Sequence, residues 1–104
     1  MTIQVNTDKN IEGREQLTAY VESIIKEGLN RYNAHITRVE VHLSDENGSK
    51  EGTEDKRCLI EVRVEKLNPI VTSELALTLH KAVDGATAKM KNALESKIGK
   101  IMQH

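Results

Sequence analysis

Apolar residues recur along this chain with two distinct periods, and the switches between them mark out its elements. In residues 2–6, Ile3 and Val5 alternate with polar neighbours, which predicts a short half-buried strand. From Gly13 the period lengthens. Leu17, Val21, Ile24, Ile25, Gly28, Leu29 and Tyr32 share one face at ~100° per residue, predicting a helix over 14–32. Glu15 suits the positive end of that helix, and Asn33 suits its termination. Residues 36–44 return to alternation, with Val39, Val41 and Leu43 on one side and Arg38, Glu40 and His42 on the other. Residues 57–66 repeat the device. Cys58, Ile60, Val62 and Val64 point inward, Arg57, Glu61, Arg63 and Glu65 outward, and Leu59 is the exception.

Residues 44–56 (SDENGSKEGTEDK) are polar throughout and predict a long, mobile acidic hairpin loop between the two strands. Asn68-Pro69 marks a turn into a fourth strand at 70–76, and Pro69, lacking an N–H, suits the start of an edge strand. Thr78 is a good N-cap for a second long helix. Leu79, Val83, Ala86, Met90, Leu94 and Ile101 line its buried face, Ile98 lies on the flank, and Gly99 is placed to fray or bend its end. The element order is β-α-β-β-β-α. An α+β fold follows, a four-stranded mixed sheet with both helices packed on one face.

A chain of 104 residues has room for one domain, expected to span 1–104. Phe and Trp are absent, so the core must be aliphatic; Tyr20 and Tyr32 are the only aromatic residues. No apolar run approaches the ~18 residues of a membrane span, and no basic segment followed by an apolar stretch opens the chain. The single cysteine excludes an internal disulfide and fits a reducing compartment. A cytoplasmic location, with no membrane partner, is expected.

Net charge is −1, but its distribution is polar: residues 1–79 carry −4 and residues 80–104 carry +3. On a helical projection Lys81, Lys89, Lys97 and Lys100 gather on one shoulder of the second helix, with Asp84 and Glu95 on the other. Such a row, along ~30 Å of helix, can follow a phosphate backbone and release its counterions. The scarcity of aromatic rings argues against single-strand binding by base stacking. On the outward sheet face, Arg38, Arg57 and Arg63 interleave with Glu40, Glu61 and Glu65, predicting cross-strand ion pairs and only secondarily a contact surface.

No catalytic constellation is present. Cys58 sits in an inward strand register, where a thiol is a small core residue. His35, His42, His80 and His104 pair with no Cys or His at metal-ligand spacing, so no metal site is expected. Asp45-x-Asn47-Gly48-Ser49 starts like a calcium loop, but its glycine falls too early and no glutamate follows at the twelfth position. G-x-S-x-G, Walker and G-x-G-x-x-G motifs are all missing. Neither an enzyme, a cofactor nor a small-molecule substrate is expected.

Several local strings, in this order of elements, resemble the short ribosome-associated proteins that include hibernation-promoting factor and the ribosome-associated inhibitor. They are Ile3-Gln-Val-Asn6 leading to Asn10-Ile11-Glu12, Leu17-x-x-Tyr20-Val21-Glu22, Ile36-Thr-Arg-Val-Glu-Val-His-Leu43, and Ala82-Val83-Asp84-Gly85 followed by Lys89-Met90. The resemblance runs along essentially the whole chain, without a counterpart of the family's long-form dimerisation domain. It implies a fold like the double-stranded-RNA-binding domain with an added N-terminal strand. It also implies binding to the small ribosomal subunit and its 16S-type rRNA, in the channel for messenger and tRNA, which would inhibit translation and promote hibernation under stress.

On that reading Lys81, Lys89, Lys97 and Lys100 contact RNA, with Lys89 matching a basic family position directly. Lys26, Arg31, Arg38, Arg57 and Arg63 are secondary contacts to RNA or protein. This chain has Asn92 and Ser96 where relatives usually carry basic residues, and Glu22 and Glu27 offset Lys26 and Arg31 in the first helix. The competing expectation is an acidic protein-interaction module on the same scaffold, without ribosome binding, using Arg38, Glu40, His42 and Arg63 or the acidic loop. A weak homodimer through the edge strand after Pro69 is the remaining partner expectation.

Overall fold

A computed structural model describes residues 1–9, 11–46 and 55–99. Its elements are β1 (Thr2–Thr7), α1 (Arg14–Leu29), β2 (Ile36–Asp45), β3 (Lys56–Val64), β4 (Ile70–Ala76) and α2 (Leu79–Leu94). The strands form one sheet in the order β1-β2-β3-β4, with β1 parallel to β2 and the other pairs antiparallel. The α+β order read from the sequence is the one observed.

Register explains why one face of the sheet is apolar. Val39 lies opposite Ile3 and Val62, Val41 opposite Val5 and Ile60, and Leu43 opposite Cys58. Because side chains alternate along a strand, these matched positions all point to the helices. There they join Val21, Ile25, Leu29, Val83, Ala86, Met90 and Leu94 in a single cluster from which water is excluded. Both helices therefore cover the same face. Ile36 and Val39 are both buried although three residues apart, which strict alternation forbids; a register irregularity between Ile36 and Arg38 reconciles them.

Three element ends differ from the sequence pattern. The predicted helix over 14–32 is α only to Leu29, and Asn30–Tyr32 tighten into a 3₁₀ turn. Tighter i→i+3 bonds are a common way to satisfy the last carbonyls of a helix. β3 stops at Val64 and not at Lys66, because the Leu67 amide closes a turn on the Val64 carbonyl (3.1 Å) with Lys66 at φ 66°. The polar segment is also shorter than 44–56. Asp45 and Lys56 are paired within the β2–β3 ladder, and the Glu46 amide donates to the Asp55 carbonyl (2.9 Å). Residues 47–54, the rest of that predicted loop, lie outside the described residues, as do Lys100, Ile101 and His104.

Gly13 starts α1 in the left-handed region (φ 67°), where a side chain would be strained, and no side chain caps that end. Thr78 caps α2 as its sequence position suggests, its hydroxyl accepting from the Lys81 amide at 3.1 Å. Past Leu94 the chain continues as a π turn, Glu95–Gly99, which keeps Ile98 buried.

The two tyrosines tie the helices together. Tyr20 on α1 donates to Asp84 Oδ1 on α2 at 2.8 Å, and its ring lies 4.4 Å from that of His80. Tyr32, buried in the core, donates to Glu95 Oε2, which also pairs with Arg31 at 3.3 Å. Between these bonds the helices approach closely: a Cβ on Gly28 would come within 2.9 Å of Thr87 Cγ2. The hydrogen bond from Tyr20 to Asp84 raises the Tyr20 pKa, as the bond to Glu95 does for Tyr32, with burial adding in each case.

Three outcomes follow from this packing. Burial pushes the Cys58 thiol up to about 12, so a thiol reagent at neutral pH should label the unfolded chain and spare the folded one; equal rates would contradict the assigned burial. Ile60→Ala should cost about 2–5 kcal/mol in denaturant unfolding, and a loss under ~1 kcal/mol would mean a looser core. The phenols' folded pKa values are raised, so their contribution is complete below about pH 10 and lost as pH rises through those values. A Tyr20→Phe/Tyr32→Phe variant should be less stable at pH 7 by roughly 1–3 kcal/mol and lose less stability in alkali than the parent. An unchanged alkaline slope would contradict the two bonds.

A lysine flank on the second helix

α2 runs back along β4, and this pairing decides where its charges go. The Thr72 hydroxyl on β4 donates to the Ala86 carbonyl (3.0 Å), and Lys97 borders a depression with Pro69 and Ile70 at the start of β4. On its other side α2 meets α1 through Asp84, Thr87 and Glu95. The acids thus fall on the α1 side, each held by a tyrosine. Lys81, Lys89 and Lys97 are exposed on the solvent and β4 sides. Separation of Lys81, Lys89 and Lys97 from Asp84 and Glu95, read from a helical projection, is therefore present in the fold, with Lys91 on the acids' side near Gly28. Residues 95–99 form a wider π turn, so increments of 100° do not apply past Leu94, and the smaller step per residue brings Lys97 nearer the line of Lys89.

The three lysines are not equivalent. Among the described residues Lys81 and Lys97 form no ion pair. Lys89 Nζ donates to Glu74 Oε1 at 3.0 Å and to the Ser73 carbonyl at 2.8 Å. Sequence reasoning missed Glu74 as a partner. Its signal was present: in residues 70–76 the inward register reads Ile70, Thr72, Glu74, Ala76, which puts a carboxylate on the helix-facing side.

The secondary candidates are mostly occupied. Arg38 pairs with Glu40 at 2.9 Å and bonds Gln4, Arg63 pairs with Glu61 at 3.4 Å, and Arg57 approaches Glu46 at 3.9 Å. Arg31 holds Glu95, and Lys26 is exposed on α1 beside Glu22 and Glu27. Of the expected cross-strand ion pairs between β2 and β3, those of Arg38 and Arg63 do not form, whereas Arg57 does reach across to Glu46. Register sets Arg38 opposite Arg63 and Glu40 opposite Glu61, so each arginine turns to the glutamate two residues along its own strand. At exposed positions such pairs contribute little to stability, but they do neutralise the surface.

Acidic residues concentrate at one end. Lys56 Nζ bridges Asp55 (2.7 Å) and Asp45 (3.3 Å), and Asp8 accepts from the Asp45 amide. Lys56 lies opposite Ala76, so these acids sit near the start of α2, while Lys97 is at the far end. A polyanion would meet least repulsion toward Lys97. Among the described residues no group of His, Cys, Asp and Glu is arranged to hold a metal ion, and no helix is long and apolar enough to cross a membrane.

Similarity to known proteins agrees with this architecture. The model for the family described as sigma 54 modulation protein / S30EA ribosomal protein matches residues 4–102. The N-terminal domain of Protein Y from Thermus thermophilus superposes with a TM-score of 0.74 at 22% identity, over 92% of this chain and 98% of that one. A ribosomal subunit interface protein from Coxiella burnetii gives 0.69 at 14% identity, over 95% and 99%. At these identities the structural matches speak for the fold. No curated protein is similar enough in sequence to register as a relative. With the family pattern running from β1 to the end of the second helical region, the chain belongs to the sigma 54 modulation protein / S30EA ribosomal protein family.

Proposed function

We propose that this protein is a non-enzymatic, cytoplasmic translation regulator that binds the small ribosomal subunit, contacting 16S-type rRNA through the lysine flank of α2. By occupying the channel for messenger and tRNA it would keep idle ribosomes out of translation under stress. The single observation that carries this reading is the rotation of α2. Asp84 and Glu95 are bonded to tyrosines on the α1 side, which leaves Lys81 and Lys97 facing outward with Lys89 along β4. Family membership and likeness to a ribosomal subunit interface protein support the choice of a ribosomal partner. An α-β-β-β-α portion like the double-stranded-RNA-binding domain would suit recognition of A-form RNA by shape and backbone.

The electrostatics set the strength. About four phosphate contacts give a slope of roughly −3 to −4 in log affinity against log salt. Between roughly 50 and 300 mM salt, that is a loss of several hundredfold. Sedimentation with separated ribosomal subunits tests the proposal. The protein should travel with the small subunit at the lower salt and stay at the top at the higher. A folded Lys81→Glu/Lys97→Glu/Lys100→Glu variant should stay at the top at both. Lys89 is left intact because its reversal would set two carboxylates together beside Glu74. Full retention by the variant would move the contact off α2, toward the sheet face around Arg38 and Arg63.

A further inference from the structure

Glu74 occupies an unusual place for a carboxylate. It lies opposite Cys58 on the helix-facing side of β4, in a register it shares with Ile70 and Ala76. The fold makes room for it at Gly85, where a Cβ would fall 2.4 Å from Glu74 Oε2 and 2.7 Å from its Cγ. Any side chain at 85 would displace it. One turn further along α2, Lys89 reaches back and donates to both the Glu74 carboxylate and the Ser73 carbonyl. Two oxygens around one ammonium are what a phosphate group would offer the same lysine.

We propose that Glu74 is an internal counterion that occupies the phosphate position of Lys89 and so sets how tightly, and how salt-dependently, α2 engages RNA. The inference rests on the reading of α2 as the RNA-contacting element. Exchange is feasible because the pair is wet: the Lys89 side chain is 53% exposed and that of Glu74 is 34% exposed. Exposed pairs are weak, so phosphate can compete for the lysine at low salt. Asp84 on α2 and Glu95 in the π turn cannot play this part, since they are bonded to Tyr20 and Tyr32. Nor can Glu46, which borders a surface depression with Glu74 and Lys89 but lies against Arg57 and accepts from the Ser44 hydroxyl. When RNA takes Lys89, Glu74 is released and recruits a cation of its own. The exchange therefore yields about one fewer net counterion than an unpaired lysine would.

A double-mutant cycle on a fluorescent RNA duplex of about 16 base pairs tests this by anisotropy across a salt series. Glu74→Gln should bind roughly two- to fivefold tighter than the parent at low salt, with a slope steeper by about 0.7–0.9. In a Lys89→Ala background the same change should give no gain. Glu74→Thr, which suits a strand, supplies the comparison should the glutamine variant fold poorly. Unchanged or weaker binding by both folded variants would overturn the proposal. So would an equal gain in the two backgrounds, which would mark a general loss of negative charge. Ribosome sedimentation is read separately: its failure with a positive cycle removes the ribosomal reading alone, and its success with a null cycle removes the role of Glu74.

Discussion

The rotation of α2 about its own axis is the constraint on which the chemistry of this surface depends. Two phenol–carboxylate bonds and one close approach fix it. Tyr20 holds Asp84, Tyr32 holds Glu95, and Gly28 lets Thr87 come down between them. Together the two bonds contribute about 1–3 kcal/mol, and they favour the same orientation as the fully buried face of Val83, Ala86, Met90 and Leu94. With both acids facing α1, Lys81, Lys89 and Lys97 lie away from them, while Lys91 stays on the α1 side near Gly28. A chain with no net positive charge can thus present a cationic stripe. The only two aromatic residues serve as fasteners between helices, while the sheet side of the core is built from Val, Ile, Leu and Cys.

Most of the fold is legible in the sequence because one face of the sheet is buried. A slip of one residue would send Val39, Val41 and Leu43 to solvent, so alternation alone specifies strand register. Helix faces are equally plain: Leu17, Val21, Ile25 and Leu29 are all buried, as are Val83, Ala86, Met90 and Leu94. What escapes a pattern of periods is any change of period. The 3₁₀ turn at Asn30–Tyr32 and the irregularity after Ile36 shift phase without a signature residue, and Gly99 alone hints at the π turn that it closes.

The candidate site was legible only in part. Segregation of Lys81, Lys89 and Lys97 from Asp84 and Glu95 follows from spacing within one helix. Partnership between Lys89 and Glu74 joins two elements, and only tertiary geometry shows which flank of α2 lies along β4. The same holds for the sheet face, where charge alternation along each strand is visible but the pairing of Arg38 opposite Arg63 is not. Apolar residues on that face add a contrast: Val71 and Leu75 are about half exposed on β4, whose outer edge is partly covered by the Lys89 bond to the Ser73 carbonyl. A lysine over an edge strand blunts unwanted pairing.

Amine-acylation footprinting of the protein, free and bound to the small ribosomal subunit, with each lysine read by mass spectrometry, tests the central claim most directly. The account predicts strong protection of Lys81 and Lys97 in the complex, with Lys9, beyond the opposite edge strand β1, remaining reactive. Unprotected Lys81 and Lys97 on a protein that is demonstrably bound would contradict it, because the surface that α2 turns outward would then not be the surface that meets RNA.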